Sequence, residues 1–134
     1  MKPIKYNVGL LILRVCVGGL MLFHGYSKVV NGIDGIINLF NDIGIPGVLV
    51  YAVYIGEVVA PVLLLVGYKS KLGALGIVIT MLVALFTAHI NDFLKLGSHG
   101  EWALEVLAFY LLGGIVILLL GGGKFSLSTK SQWD

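Results

Sequence analysis

Four apolar runs, at residues 8–30, 48–67, 72–90 and 102–120, occupy most of the chain, and polar residues collect between them. Each run is about 20 residues long, the length an α-helix needs to cross a hydrocarbon core of roughly 30 Å. The pattern predicts an all-α membrane protein, a bundle of four transmembrane helices with almost no extramembrane mass. Residues 1–134 are expected to form one transmembrane domain, with no separate soluble catalytic unit. Residues 1–7 resemble the basic start of a signal peptide. However, the run that follows is too long, contains Arg14 and leads to no small-x-small cleavage site, so it reads as a retained helix.

The first connection, residues 31–47, has a pattern of its own. Ile33, Ile36, Ile37 and Phe40 follow i, i+3, i+4, i+7 spacing, with Asp34, Asn38, Asn41 and Asp42 between them. This predicts a short amphipathic helix between helices one and two, lying on the interface or capping the bundle. Gly44-Ile45-Pro46-Gly47 then breaks it and turns the chain into helix two.

Charge placement sets the expected orientation. Lys2 and Lys5 precede helix one, Lys69 and Lys71 separate helices two and three, and Lys124 and Lys130 follow helix four. The positive-inside rule puts both termini in the cytoplasm. Composition agrees with the class, since 58% of residues are hydrophobic and 12% charged, with a net charge of +2. Mean hydropathy is +1.01. Cys16 alone excludes a disulfide framework, a CxxC redox pair and an iron–sulfur ligand set, and reads as a small apolar packer. Nothing in the charge pattern points to nucleic acid.

The candidate chemistry lies in ionisable residues within the apolar runs, where an unpartnered charge costs roughly 2.5–3.5 kcal/mol. On helix one, Arg14, Gly18, Met21, Gly25 and Lys28 fall close to one line, with His24 beside them. Helix two carries Glu57 and, four residues on, Pro61, which removes the amide that would bond the Glu57 carbonyl. A kink is expected there, with Tyr54, Glu57 and Pro61 on one face. Counted from the inner helix ends, Arg14 lies about 9 Å deep and Glu57 about 15 Å, so a structural ion pair between them is expected. On helix three, Gly73 and Gly76 allow close approach, and Thr80 and Thr87 bond within their own helix. Helix four opens with Glu101 and Glu105 four apart on one face, and Trp102 marks the outer interface.

A second, outer layer gathers His24, Lys28, His89 and Glu105. Three ligand chemistries are open to it, beside a structural role in which His24 and Lys28 pair with Glu105. A quinone headgroup needs hydrogen-bond donors near the interface, proton-exchanging carboxylates or histidines, and an apolar slot for its tail. A haem would use His24 and His89, and a metal would use His24, His89 and Glu105. The quinone reading puts His24, Lys28 and Glu105 at the headgroup, with His24, Glu105 and His89 as candidate catalytic groups. No metal site is assigned.

The chain also resembles a known family. Arg14, Gly18-Gly19 and Phe23-His24-Gly25-Tyr26-Ser27-Lys28 are similar to the first-helix signature of DoxX-like membrane proteins. Phe40 with Gly44-Ile45-Pro46, Glu57 with Leu63-Leu64-Leu65-Val66-Gly67, and Gly122-Gly123-Lys124-Phe125-Ser126-Leu127 match later landmarks in order. Lys69 stands where arginine is more frequent. The resemblance implies a four-helix bundle in the cytoplasmic membrane of a prokaryote, with Arg14, His24, Lys28, Glu57 and Glu105 as the matching polar positions. It also implies association with quinol- or quinone-linked oxidoreductases. The expected function is thus a small membrane subunit of a redox system that binds quinone or quinol near the outer leaflet. Its partners would be the lipid bilayer and another membrane or peripheral redox protein. Alternatives are a non-enzymatic scaffold or assembly protein, and a small-solute or proton carrier. Glycines on helices three and four are compatible with a homo-oligomer.

Overall fold

The structure is a computed structural model and describes residues 2–134; Met1, the first residue of the predicted domain, lies outside them. Three helical segments are long and apolar enough to cross a membrane: Ile4–Asn31 (28 residues), Gly47–Val66 (20 residues) and Ser70–Ala88 (19 residues). A fourth apolar helix, Glu105–Leu120, has 16 residues, about 24 Å of rise. We label the α-helices α1 (Ile4–Asn31), α2 (Asp34–Asp42), α3 (Ala60–Val66), α4 (Ser70–Ala88) and α5 (Glu105–Leu120). Helix α1 packs on α3, α3 on α4, α4 on α5, and α5 returns to α1, closing a ring.

The core of that ring is apolar and includes Val17, Met21, Leu64, Ile77, Tyr110 and Ile117. The outside is apolar as well. Phe23 is 73% exposed, Phe86 65% and Leu119 72%. A surface of this kind, continuous around the helices, is at home in lipid and not in water.

Glycine sets the spacing between helices. A Cβ added to Gly18 would lie 2.9 Å from the Pro61 carbonyl oxygen, and one on Gly73 would lie 2.8 Å from the Ala60 carbonyl oxygen. The segment containing Ala60 and Pro61 is therefore clamped between the backbones of α1 and α4, an approach that only missing side chains allow. The predicted line on α1 is the buried one: Arg14, Gly18, Met21 and Gly25 all face inward.

The amphipathic helix forms as α2, with Ile33 and Phe40 buried against Val50 and with Ile36 and Ile37 packed beside them. Gly44 takes a positive φ of 78° to end it. Helix two departs most from the expected regular form. It starts as a 3₁₀ stretch, Gly47–Ala52, is briefly α at Val53 and Tyr54, passes through a π turn, Ile55–Val59, and continues as α3 from Ala60. Pro61 explains the change, because without its amide the i→i+4 ladder fails at Glu57. Within the π turn the Ala60 amide instead reaches the Ile55 carbonyl, five residues back.

Helix four starts at Glu105 rather than at residue 102. Residues 95–103 fold instead as a small hairpin, closed by Ala103 N–H to the Lys95 carbonyl (3.0 Å) and Gly97 N–H to the Glu101 carbonyl (2.7 Å). Trp102 donates its indole N–H to the Phe93 carbonyl. Glu101 and Glu105 therefore do not share a helical face.

The chain after α5 folds back across the basic end of the bundle. Leu127 N–H bonds the Val66 carbonyl and Ser128 N–H the Gly67 carbonyl. Lys71 N–H bonds the Trp133 carbonyl, and Lys124 N–H bonds Asn7 Oδ1.

Candidate functional site

Arg14 is 1% exposed and does not meet Glu57. Its guanidinium donates to the Leu64 carbonyl at 3.0 Å and to the Phe125 carbonyl, tying α1 to the end of α3 and to the C-terminal segment. Gly67 leaves room for it, since a Cβ there would lie 2.1 Å from one guanidinium nitrogen. The expected Arg14–Glu57 pair is thus corrected, and helix register gives the reason. A Cβ on Gly25 would fall 2.0 Å from the Glu57 carbonyl oxygen, so Glu57 sits level with Gly25. From 14 to 25 is 11 residues, about 16 Å of rise, too far for the arginine side chain.

Glu57 pairs instead with Lys28, one turn beyond Gly25. The Glu57 side chain is 6% exposed and that of Lys28 23%. Several features hold this pair. Proline frees the Glu57 carbonyl, and Gly25 lets α1 press against it. Gly56 admits Thr80 of α4, whose hydroxyl donates to the Gly76 carbonyl at 2.8 Å. Tyr54 O–H donates to the Lys28 carbonyl at 3.3 Å and steadies the end of α1. The π turn, the proline and the buried carboxylate thus coincide, an arrangement frequent at functional sites.

The ion pair lines a groove of about 730 Å³ between α2, the 3₁₀ stretch and α4. Its walls are almost wholly apolar, with Phe40, Val50, Val53, Ile79 and Phe86 among them, and its polar groups are Lys28, Glu57, Thr80, Thr87 and His89. Thr87 is turned inward on itself, donating to the Val83 carbonyl at 2.7 Å. A buried ion pair in an otherwise apolar slot suits a ligand with a polar head and a hydrophobic body, and Thr87 and His89 lie about 10 Å or more along α4 from Thr80.

The outer cluster divides. Lys28 and His89 line this groove, whereas His24 and Glu105 are not among its lining residues. His24 is exposed and sits edge-on to Tyr110, with ring centroids 5.6 Å apart. Glu105 is exposed in the first turn of α5 and forms no ion pair among the described residues. His89 faces Asp92 at 3.3 Å, and Lys95 donates to the same carboxylate at 2.8 Å. Hydrogen bonds from Lys95 and then His89 hold the Asp92 carboxyl below its ordinary range. Among the described residues no group of three His, Cys, Asp or Glu is placed to hold a metal. The His24–His89–Glu105 set is therefore not gathered.

Sequence reasoning placed Glu57 correctly at a kink but missed its partner. Lys28 lies on the same α1 line as Arg14, and only the register of Gly18 at Pro61 and Gly25 at Glu57 selects between them. Tyr110, buried in the core beside His24, was also passed over, since a lone tyrosine in an apolar run gives no signal.

An all-helical chain with an apolar exterior and a buried ion pair in a lipid-compatible groove defines a small integral membrane protein. The sequence model of the DoxX family matches residues 9–90, more than half of the chain, and the chain belongs to the DoxX family. It is 29% identical over 87 residues to the Bacillus subtilis (strain 168) protein named "Putative oxidoreductase CatD". The match covers 65% of this chain and 64% of that relative, so somewhat under two thirds of the relative's length is spanned. No solved structure matches significantly.

Proposed function

We propose that this protein binds quinone or quinol as a small membrane subunit of a redox system. The observation that carries the reading is the Lys28–Glu57 pair in the lining of an otherwise apolar groove of about 730 Å³. Lys28 would donate a hydrogen bond to a headgroup oxygen, and Glu57 would exchange a proton with the hydroxyl of the reduced form. His89 stands at the same groove as a further proton group. The apolar walls would take the isoprenoid body. The relative's name, an oxidoreductase, supports the redox class. Electrons would pass to a membrane or peripheral redox partner. His24 and Glu105, first assigned to the headgroup, become candidates for contact with that partner, because both are exposed outside the groove.

The proposed topology has four crossings in a prokaryotic cytoplasmic membrane, with both termini and the basic end in the cytoplasm. The whole chain would act as one transmembrane domain.

The test is co-purification. The protein is isolated in mild detergent, its visible spectrum recorded, and its lipid extract assayed for quinone. The double variant Lys28→Met/Glu57→Gln is prepared in parallel, because it removes the head-group contacts without leaving a lone buried charge. Quinone near one per chain, lost in the double variant, is the expected result. Equal quinone in both preparations, or none in a folded protein given excess quinone, would refute the assignment. A scaffold role would then stand first, favoured by exposed His24 and Glu105 on the outer surface.

A further inference from the structure

We propose that the opposite, basic end of the bundle carries a binding site for a phosphate-bearing headgroup. Three chain segments that are remote in sequence bring lysines to one depression of about 490 Å³: Lys2 before α1, Lys71 in the first turn of α4, and Lys124 after α5. The glycines Gly121, Gly122 and Gly123 line it between them. Lys2 is oriented by Tyr6, donating to its hydroxyl at 2.8 Å and lying 4.3 Å from the ring centre. None of the three lysines forms an ion pair among the described residues.

The one acidic side chain in the depression is already engaged. Asp134 accepts from Ser131 N–H at 2.6 Å, Ser128 O–H at 2.7 Å and Lys69 N–H at 3.1 Å. Three lysines face this one acidic side chain. The other six acidic residues, Asp34, Asp42, Glu57, Asp92, Glu101 and Glu105, lie outside this depression. Lysines grouped around one depression, none of them in an ion pair, attract a compact anion, and phosphate is the one present in quantity at a membrane surface.

A lipid source fits better than a free one. Leu120, 45% exposed, forms part of the wall, and the neighbouring Leu119 is 72% exposed. Those side chains continue the lipid-facing belt up to the depression, so an acyl chain can lie against α5 while its phosphate reaches Lys71 and Lys124. The assignment is independent of the quinone reading, since the two sites share no residue.

The full chain is placed in nanodiscs of equal phosphatidylglycerol and phosphatidylcholine, and the retained lipid is measured by native mass spectrometry. The wild type should retain phosphatidylglycerol preferentially. In Lys71→Gln/Lys124→Gln the preference should fall about fivefold for each lysine removed. The variant Lys5→Gln/Lys130→Gln loses the same charge outside the depression and should keep it. The single variants Lys71→Gln and Lys124→Gln give the same reading should the double variant not fold. Inorganic phosphate is then added. If it displaces the lipid, the site reads the phosphate itself; if it does not, the site needs the lipid as a whole. No preference in the wild type, or an equal loss in the control variant, would overturn the proposal.

Discussion

Removing Lys28 tests whether the groove is built around a buried ion pair. In Lys28→Met the Glu57 side chain, 6% exposed, is left in an apolar groove with its counter-ion gone. Breaking a fully buried pair from one side costs about 3–5 kcal/mol. Lys28 keeps 23% exposure, so solvent screens part of the attraction and the low end, about 3 kcal/mol, is expected. Glu57→Gln should cost somewhat less, about 2 kcal/mol, because the lysine stem can carry its ammonium toward water. The double variant leaves no unpaired charge and should recover most of the loss, giving a coupling of about 2 kcal/mol or more. The assay is equilibrium unfolding in mixed micelles, followed by tryptophan fluorescence from Trp102 and Trp133. Strictly additive losses in the two single variants would show that the pair contributes nothing jointly, and the reasoning would fail.

Three further outcomes follow from the geometry. Arg14→Leu should cost about 3 kcal/mol or more by stripping the Leu64 and Phe125 carbonyls of their donor. It should expose residues 121–134 to protease, and Glu57→Gln should not rescue it, as Glu57 is not its partner. Gly25→Ala should lower folded yield sharply, since its Cβ would lie 2.0 Å from the Glu57 carbonyl oxygen; overpacking of this kind costs about 1–3 kcal/mol or more. Gly35→Ala, where nothing lies within 4 Å, is the matched control. The third outcome concerns pH. Asp134 is held below its ordinary value of 3.8, chiefly by the Ser131 amide and also by Ser128 and Lys69. A carboxyl depressed on folding contributes stability that is present above pH 3.8 and lost as pH falls through the lower folded value. Hydrogen exchange in residues 121–134 should therefore rise as pH drops below about 4, after correction for the intrinsic rate. Asp134→Asn should show the same opening at neutral pH.

Much of the chain was legible because the bilayer restricts the options. A run of about 20 apolar residues has few fates, and the i, i+3, i+4, i+7 spacing of Ile33, Ile36, Ile37 and Phe40 directly encodes α2. Pro61 four residues after Glu57 fixed where the ladder must fail, and the buried line Arg14, Gly18, Met21, Gly25 followed from helical periodicity alone. These are local properties, carried by residues close in sequence.

Partnership between helices was a different matter. Arg14 and Glu57 invited pairing by charge and rough depth, yet register decided otherwise. That register comes from glycines meeting carbonyls, Gly18 at Pro61 and Gly25 at Glu57, and a slide of one helix on another is invisible in either sequence. The same holds for His24, Lys28, His89 and Glu105, which share a depth but face different neighbours. The fold-back of the C-terminal segment left no sign in the sequence, because its anchors, Val66, Gly67 and the Arg14 guanidinium, are remote in the chain. The sequence by itself determined the membrane class, the helices and the positions of their ionisable groups. Only the tertiary structure decided which groups meet, because helix packing distances of a few ångströms, set by absent side chains, choose among partners that composition leaves equivalent.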